Sequence, residues 1–592
     1  MVPRVTRSFL TLGAIVLACA VAPAMAAAAI TIDSYKITSD MPLGSTPSDG
    51  PSTFQAGANP DAGSWSTFLY PNASEDLKTA ITNFAPGLLG NPESVPKCPQ
   101  AALEAGGTTC PAGSQIGTSR LLAVVAGTTT PAANLAGRFY NAEPLGNEPG
   151  RLAAVTDTSF GPLVSSIPFE ITPRGGGDYG LTGTLTDINR LPSPPFPANL
   201  QVRGLGFVID ASTKYVRNPT SCRFNVSTGQ AAGYEDPTFV EGPAYGFPTT
   251  GCDQVPFKPV TTLELGDRGN TGEQRFPPFK LTIRQAAGEA DQLGNKITLP
   301  GELNTNNPAY KTCTQAQADA DNCPDESKFG GVAAKSPFLA EELRGPVYLI
   351  QQTNTSLPGL LLDLRGRVHV KIQTKTTLVN NRAIQSLVLN GPQLPVSELR
   401  VGLNGGRNTG VFLNRQDLCF RGNSTSRFND VSGLIKDYGH NGTTTAETKL
   451  KAKINGCGPG VRGRISRATR ATPLVRLETD KHPDSPNFKE LTVRVSRNLR
   501  LVKSRFKRGA RATEDVDIRY VNRRTLRVTG FPAAGLNDVT VLLRRGAVRV
   551  SQRSRNLLRR GRTRTFRAKV RQTPVSGATT STRASFRARG SR

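Results

Sequence analysis

Short runs in which every second residue is apolar recur along the chain and predict β-strands. Examples are "SSIPFEITP", "LTGTLTDI", "FKLTIRQA" and "SLVLNG". In "RVHVKIQTKTTLV", Val368, Val370 and Ile372 project to one side of a strand while Arg367, His369 and Lys371 project to the other. Glycine and proline, together 103 of 592 residues, interrupt such runs at intervals of about eight to twelve positions. Helical periods are scarce. The Ala-rich stretches "PQAALEAGGTT" and "TQAQADADN" suit a turn or two, and "FLAEELRG" is the best longer candidate. Many short strands with dense turn signals predict an all-β chain of tandem antiparallel β-sandwiches, Ig-like, with a few short helices.

The pattern is written twice. "CPAGSQIG" (110–117) and "CPDESKFG" (323–330) both fit Cys-Pro-x-x-Ser-x-apolar-Gly, with the glycine read as helping to turn the chain. Upstream, "DLKTAITNFAPGLLGNPESVPKC" and "QLGNKITLPGELNTNNPAYKTC" share an alternating strand, a Pro-Gly turn, an Asn-Pro step and a cysteine. Downstream, "LAGRFYNAEPLG" matches "LRGPVYLIQQTN", "YVRNPTSCRF" matches "FLNRQDLCFRG", and "TTGC" matches "INGC". Four matched cysteines in one order, offset by about 200 residues, define a tandem duplication. The expected units are a first repeat over 27–257, a second over 258–460 and a further domain over 461–592. By length, each repeat has room for two sandwiches.

Residues 1–26 read as a secretory signal peptide: Arg4 and Arg7, an apolar run, then Ala24-Met25-Ala26 with cleavage after Ala26. Cys19 is an alternative lipoprotein acylation site. No segment is long and apolar enough to be a transmembrane helix, so a secreted or cell-surface protein is expected. The other eight cysteines then read as disulfides. There is no C-x-x-C spacing for zinc or redox chemistry. If each repeat folds alone, the simplest pairs are Cys98–Cys110, Cys222–Cys252, Cys313–Cys323 and Cys419–Cys457.

"PGLLGNP…PKC…CPAGSQIG", "GGDYGLTGTLTDI", "NPTSC" and "GC…VPFKPV" in the first copy, with "GEADQLGNKITLP", "LRGPVYL", "LPGLLLDLRG" and "QDLC" in the second, carry a family resemblance. Over roughly residues 50–460 the chain resembles an uncharacterised family of exported, disulfide-containing β-rich proteins of high-GC Gram-positive bacteria. The resemblance implies an exported β-rich surface protein and supplies no catalytic residues, since the family has no established activity.

Charge separates the end of the chain from the rest. Residues 461–592 hold 35 of the 73 Lys and Arg but only 8 of the 45 Asp and Glu, and no cysteine. Two stretches there alternate: "LTVRVSRNLRLV" and "RTFRAKVR" each bury an apolar face and display a cationic one, whereas the last twenty residues read as a loose tail. Guanidinium groups suit phosphate and carboxylate. The expected partner is therefore an anionic envelope polymer or acidic polysaccharide, contacted by Arg494, Arg544, Arg545, Arg559, Arg560, Arg567, Lys569 and Arg571. The competing explanation is a merely solvated arginine-rich face. No helix-turn-helix, zinc-finger or RNA-binding signature appears, so specific nucleic-acid recognition is not expected.

Other candidate chemistry is thin. "GGGDYG" (175–180) satisfies G-x-G-x-x-G but joins two strand-like runs, so it reads as a hairpin loop. Asp319, Asp321, Asp325 and Glu326 surround Cys323, yet an EF-hand would need an oxygen ligand at Cys323 and glycine at Pro324. His369, His440 and His482 are well separated, with His369 on the polar side of its strand. The expectation is a non-enzymatic envelope protein, structural or adhesive, with no metal or cofactor. The alternatives are a carbohydrate-binding protein and an extracellular polysaccharide hydrolase.

Overall fold

The computed structural model describes Ile32, Lys36–Thr38, 54–59, 62–67 and 76–590, less 129–130, 176–177, 189, 192, 197, 307–309, 354–356, 380–382 and 389. The signal peptide, its Ala26 cleavage site and Cys19 lie outside the described residues. The chain is all-β, built of tandem β-sandwiches, and among the described residues its α-helices are only five to eight residues long.

The duplication is written in the sheet order. In the first repeat one layer runs Ala62–Thr67, Leu200–Asp210, Gln115–Val125, Pro131–Ala142, Arg151–Thr158. The second repeat runs Phe279–Arg284, Glu398–Leu403, Lys328–Lys335, Leu343–Ile350, Gly359–Leu364 in the same order. In the opposing layers, Leu77–Asn83 lies between Asp178–Leu185 and Phe224–Gly233, as Gln292–Thr298 lies between Ala383–Val388 and Ser432–Gly439. The layers are joined by a bend. Gly161–Gly175 pairs with Arg151–Thr158 up to Pro168 and with Asp178–Leu185 from Phe169 onward. In the second repeat the run "RVHVKIQTKTTLV" breaks at the equivalent point, so that Val370–Gln373 and Lys375–Val379 fall in different layers. Because the bent strand serves both layers, each repeat closes one large core, not two. One core runs from Ile32 to Phe247, the other from Leu263 to Cys457 with Tyr179 reaching in from the first repeat. Among the described strands one pairing departs from the antiparallel rule: Val260–Leu265 runs parallel to Thr448–Ile454, and isolated parallel bridges join Cys98 to Ala142 and Cys313 to Ile350.

The repeated octet is a structural corner. The disulfides are Cys98–Cys110, Cys222–Cys252, Cys313–Cys323 and Cys419–Cys457, each inside its own repeat. The short helices Gln100–Glu104 and Gln315–Asp319 sit between the close pairs. Fully buried Ser114 and Ser327 each donate their hydroxyl to the carbonyl of the proline three residues before, at 2.7 and 2.6 Å. Gly117 does not turn the chain as expected. It lies within Gln115–Val125 at a β-bulge, where a Cβ would stand 1.8 Å from the Val208 carbonyl oxygen. Gly330 meets the Gly402 oxygen at 2.0 Å in the same way. The glycine is required by the neighbouring backbone. "FLAEELRG" is also not a helix, since its end opens the strand Leu343–Ile350. Pro346 stands in the turn that a longer helix would need, and Leu343, Val347 and Leu349 alternate into the core.

The repeats are locked together by a buried ion pair, Arg217 to Asp291 at 2.9 Å, and by Gln393, which accepts the Thr220 and Ser221 N–H groups and donates to the Pro86 carbonyl. The last domain packs on the second repeat through buried His482, edge-on to Phe428. That domain is a sandwich of a four-stranded sheet, Gly460–Ser466, Leu474–Asp480, Asp538–Leu543, Ala510–Ala512, and a five-stranded sheet, Asp517–Asn522, Thr525–Thr529, Phe488–Val495, Thr563–Pro574, Thr580–Arg589. The expected loose tail is corrected here. Thr580–Arg589 is a ten-residue strand paired along its length with Thr563–Pro574. Its inward residues are Thr580, Thr582, Ala584, Phe586 and Ala588; all but Phe586 are too small or polar for hydrophobicity to betray a strand, but their alternation is strict.

Candidate functional site

The five-stranded sheet of the last domain buries Leu491, Val493, Leu526, Phe566, Val570 and Phe586 on one face. Period-2 geometry therefore turns the intervening residues outward. Thr563–Pro574 presents Arg567, Lys569 and Arg571, and Thr580–Arg589 presents Arg583, Arg587 and Arg589, all exposed. Arg494, Arg519 and Arg527 extend the face across the other strands.

The register stacks like charges. Arg494 stands directly opposite Lys569, and Lys569 directly opposite Arg583, giving three cations in a line across three strands. Arg519 faces Arg527. Elsewhere in the domain Arg464 faces Arg476 and Arg500 faces Arg549. Like charges in this position destabilise a sheet. Two carboxylates relieve the outer face at one side, Glu490 at 3.2 Å from Arg527 and Asp517 at 3.8 Å from Arg519. The ion pairs of arginine in this domain take up Arg462, Arg476, Arg519 and Arg527. Among the described residues, Arg494, Arg567, Lys569, Arg571, Arg583, Arg587 and Arg589 have no carboxylate within 4.0 Å.

Of the residues expected to contact a polyanion, Arg494, Arg567, Lys569 and Arg571 share this face. Arg544 and Arg545 lie outside the sheet, in the turn before Val548–Val550, where the Arg544 N–H bonds the Gly509 carbonyl and Arg545 has φ 50°. Arg559 and Arg560 end the helix Gln552–Arg559, where cations suit the helix dipole. Sequence reasoning missed Arg583, Arg587 and Arg589; the signal was the alternation of "TSTRASFRAR".

Two other polar clusters were candidates. Asp321, Asp363 and His369 bring ligand atoms within 4.8 Å of one another. His369 is not simply solvated: its Nε2 lies 2.6 Å from Oδ1 of buried Asp363. Lys371 already stands 2.7 Å from Asp321, and Arg365 2.8 Å from Asp363. These fixed cations supply the positive charge a metal would bring, so the cluster closes as an ion-pair network. Of the acids around Cys323, only Asp321 joins it. Between the repeats, a polar cleft of about 530 Å³ is lined by Asp178, Ser221, Arg223, Asn390, His440 and Asn441. The "GGGDYG" segment borders it as a hairpin loop, with Gly175 opposite Asp178; Gly176 and Gly177 lie outside the described residues. His440 Nε2 lies 2.9 Å from the Gly391 carbonyl, and burial lowers its pKa. Asp178, the single carboxylate among the described lining residues, is held by Arg223 and by the N–H groups of Tyr179 and Gln393. The paired carboxylates of glycoside hydrolysis are not assembled in this cleft.

No family model and no curated protein matches the chain. Among solved structures it is loosely similar to the Enterococcus faecalis MSCRAMM ACE, described as binding its ligands by the collagen hug model, at 8% identity over 56% of this chain and 94% of that one, with a TM-score of 0.16. It is also similar to the B domain of a biofilm-associated protein, at 9% identity over 55% and 85% of the two chains and a TM-score of 0.15. A tetra-tandem repeat from the extending region of a large adhesion protein aligns at 8% identity over 77% and 95%, with a TM-score of 0.12. No conclusion about role is drawn from overlaps this loose.

Proposed function

We propose that this chain is an exported cell-envelope protein, structural or adhesive, whose stapled β-sandwiches are held at the surface by the last domain gripping an anionic envelope polymer. The observation that carries the reading is the row Arg494–Lys569–Arg583, with unpaired Arg567, Arg571, Arg587 and Arg589 around it. The first 460 residues hold 38 basic and 37 acidic residues, so a general bias toward arginine does not account for the excess in the last domain. Cations at strand and pleat spacing form a flat grid about 5 by 7 Å, suited to a linear polymer of phosphate or carboxylate groups. The four disulfides fit an oxidising compartment outside the cytoplasm. We regard the protein as non-catalytic.

The test is sedimentation of the mature chain, residues 27–592, with isolated cell walls, beside the triple variant Arg494→Ser, Lys569→Ser, Arg583→Ser. The wild type should co-sediment at low salt and be released between 50 and roughly 300 mM, as charge-driven contacts are screened. Equal binding by the triple variant would remove this reading.

A further inference from the structure

The second sandwich is hollow where the first is filled. Between its sheets lies a cavity of about 170 Å³, walled mainly by aliphatic side chains. Protein interiors seldom leave voids larger than a water molecule. Sheet register shows how this one arose. Gly117 lies opposite Phe139 and Ile209, and its counterpart Gly330 lies opposite Val347 and Leu403. Two residues onward Ser119 faces Phe207, whereas Val332 faces Val401; two further on stand Leu121 and Ala334. In the first repeat Phe139 and Phe207 stack at 4.7 Å in the core. The second repeat has valine at both places and alanine in place of Leu121, and Val401 and Ala334 line the cavity. An opposite change, Ile116 to Phe329, packs edge-on against Tyr310.

The shape is elongated. Phe279, Leu281 and Ile283 are successive inward positions of the strand Phe279–Arg284 and Gln285 follows its end, all in the lining and together spanning about 20 Å at strand rise. Among the polar residues of the lining, Gln285, Gln292 and Asn295 stand at the Gln285 end. The Gln285 and Gln292 side-chain amides donate to the Ala290 carbonyl and to Asp437 Oδ1. Asn295 is 8% exposed and lines the same end, and its carboxamide makes no hydrogen bond among the described residues. The carboxamide atoms are not sealed off, so they are open to a hydrogen bond from a polar group in the cavity. Ser386 and Val388 are partly exposed at the rim, which gives a path from solvent.

We propose that the second repeat binds an amphiphile with an unbranched alkyl tail, the tail lying between the sheets and a hydroxyl or carbonyl group meeting Asn295. The void is close in size to an engineered apolar cavity of about 150 Å³ that admits benzene, so it takes about six carbons.

Isothermal titration of the mature chain with hexan-1-ol tests this. Saturable one-to-one binding is expected. Val401→Phe, which restores the first repeat's residue, should weaken it at least tenfold, and Ala334→Leu should do so independently if the phenylalanine disturbs folding. Asn295→Leu should weaken hexan-1-ol about tenfold while leaving n-hexane unchanged. No saturable binding by the wild type, or undiminished binding by a folded Val401→Phe or Ala334→Leu protein, would overturn the proposal. Equal loss of hexan-1-ol and n-hexane in Asn295→Leu would overturn the role of the carboxamide.

Discussion

Removing the central charge of the cationic row should stabilise the sheet that carries it. Lys569 lies directly between Arg494 and Arg583, so Lys569→Gln removes two like-charge neighbours at once. Cβ atoms across such pairs are about 5 Å apart, and long side chains splay their charges to about 7 Å. At the dielectric constant of water that separation corresponds to about 0.6 kcal/mol per pair, or about 1.2 kcal/mol for two. Screening sets the usable window. At 10 mM salt the Debye length is about 30 Å and nearly all of this repulsion survives, whereas at 1 M it is about 3 Å and little remains. The expected gain is therefore ~1 kcal/mol at 10 mM salt and a few tenths at most at 1 M. Native-state hydrogen exchange of the amides of Val493, Phe566 and Val570 in a protein of residues 27–592 reads this locally, because it resolves the opening of one sheet from the unfolding of the other domains. A linear polyanion should raise the same protection in the wild type and do so less in the variant. If Lys569→Gln loses protection at low salt, or gains it equally at both salt concentrations, the account of the face as mutually repelling and unneutralised is wrong.

Burial raises the pKa of Asp437 from 3.8 to about 6, so the folded chain holds a proton there that the unfolded chain releases. The resulting cost is absent below about pH 3.8, grows from there and is complete above about pH 6. Asp437→Asn should therefore stabilise the second repeat by about 3 kcal/mol at pH 7.5 and by almost nothing near pH 3.5, as urea melts at the two pH values would record. Gly330→Ala drives a Cβ against the Gly402 carbonyl and should cost ~2–3 kcal/mol, while Gly331→Ala, whose Cβ would find only ordinary contact at 3.6 Å, should cost far less in the same melts. Asp291→Ala leaves Arg217 buried without its partner, and about 3–5 kcal/mol should be lost from the junction of the two repeats. Limited proteolysis near residue 258 would detect the loosening.

The alternating runs and the doubled octet made the strands and the duplication readable, because a period of two and a repeated cysteine frame survive in sequence. The bend that joins the layers was not readable: "RVHVKIQTKTTLV" alternates without interruption, and only pairing reveals that Thr374 separates two sheets. Gly117 looked like a turn residue because a bulge beside a neighbouring carbonyl is a tertiary event. The partner of His369 was hidden likewise. Asp363 stands opposite Lys371 across two strands, and His369, two residues before Lys371 and on the same side of the chain, reaches the same carboxylate. Half of the cationic face was legible in "LTVRVSRNLRLV" and "RTFRAKVR". The other half was lost because Thr582, Ala584 and Ala588 bury without being markedly hydrophobic. The cavity is the least legible feature, since Val401 is unremarkable until sheet register sets it beside Phe207.

The central claim, that unpaired cations on one sheet grip a linear polyanion, is tested most directly by the salt dependence of affinity. Titrating the protein of residues 27–592 with long-chain polyphosphate from about 50 to 300 mM salt gives a slope of log K against log salt that counts displaced counterions, at about 0.7 per contact for a single-stranded polymer. Five to seven contacts predict a slope between about −3.5 and −5, and the variant lacking Arg494, Lys569 and Arg583 should be shallower by about 2. A wild-type slope near zero, or the same slope in both proteins, would contradict the account.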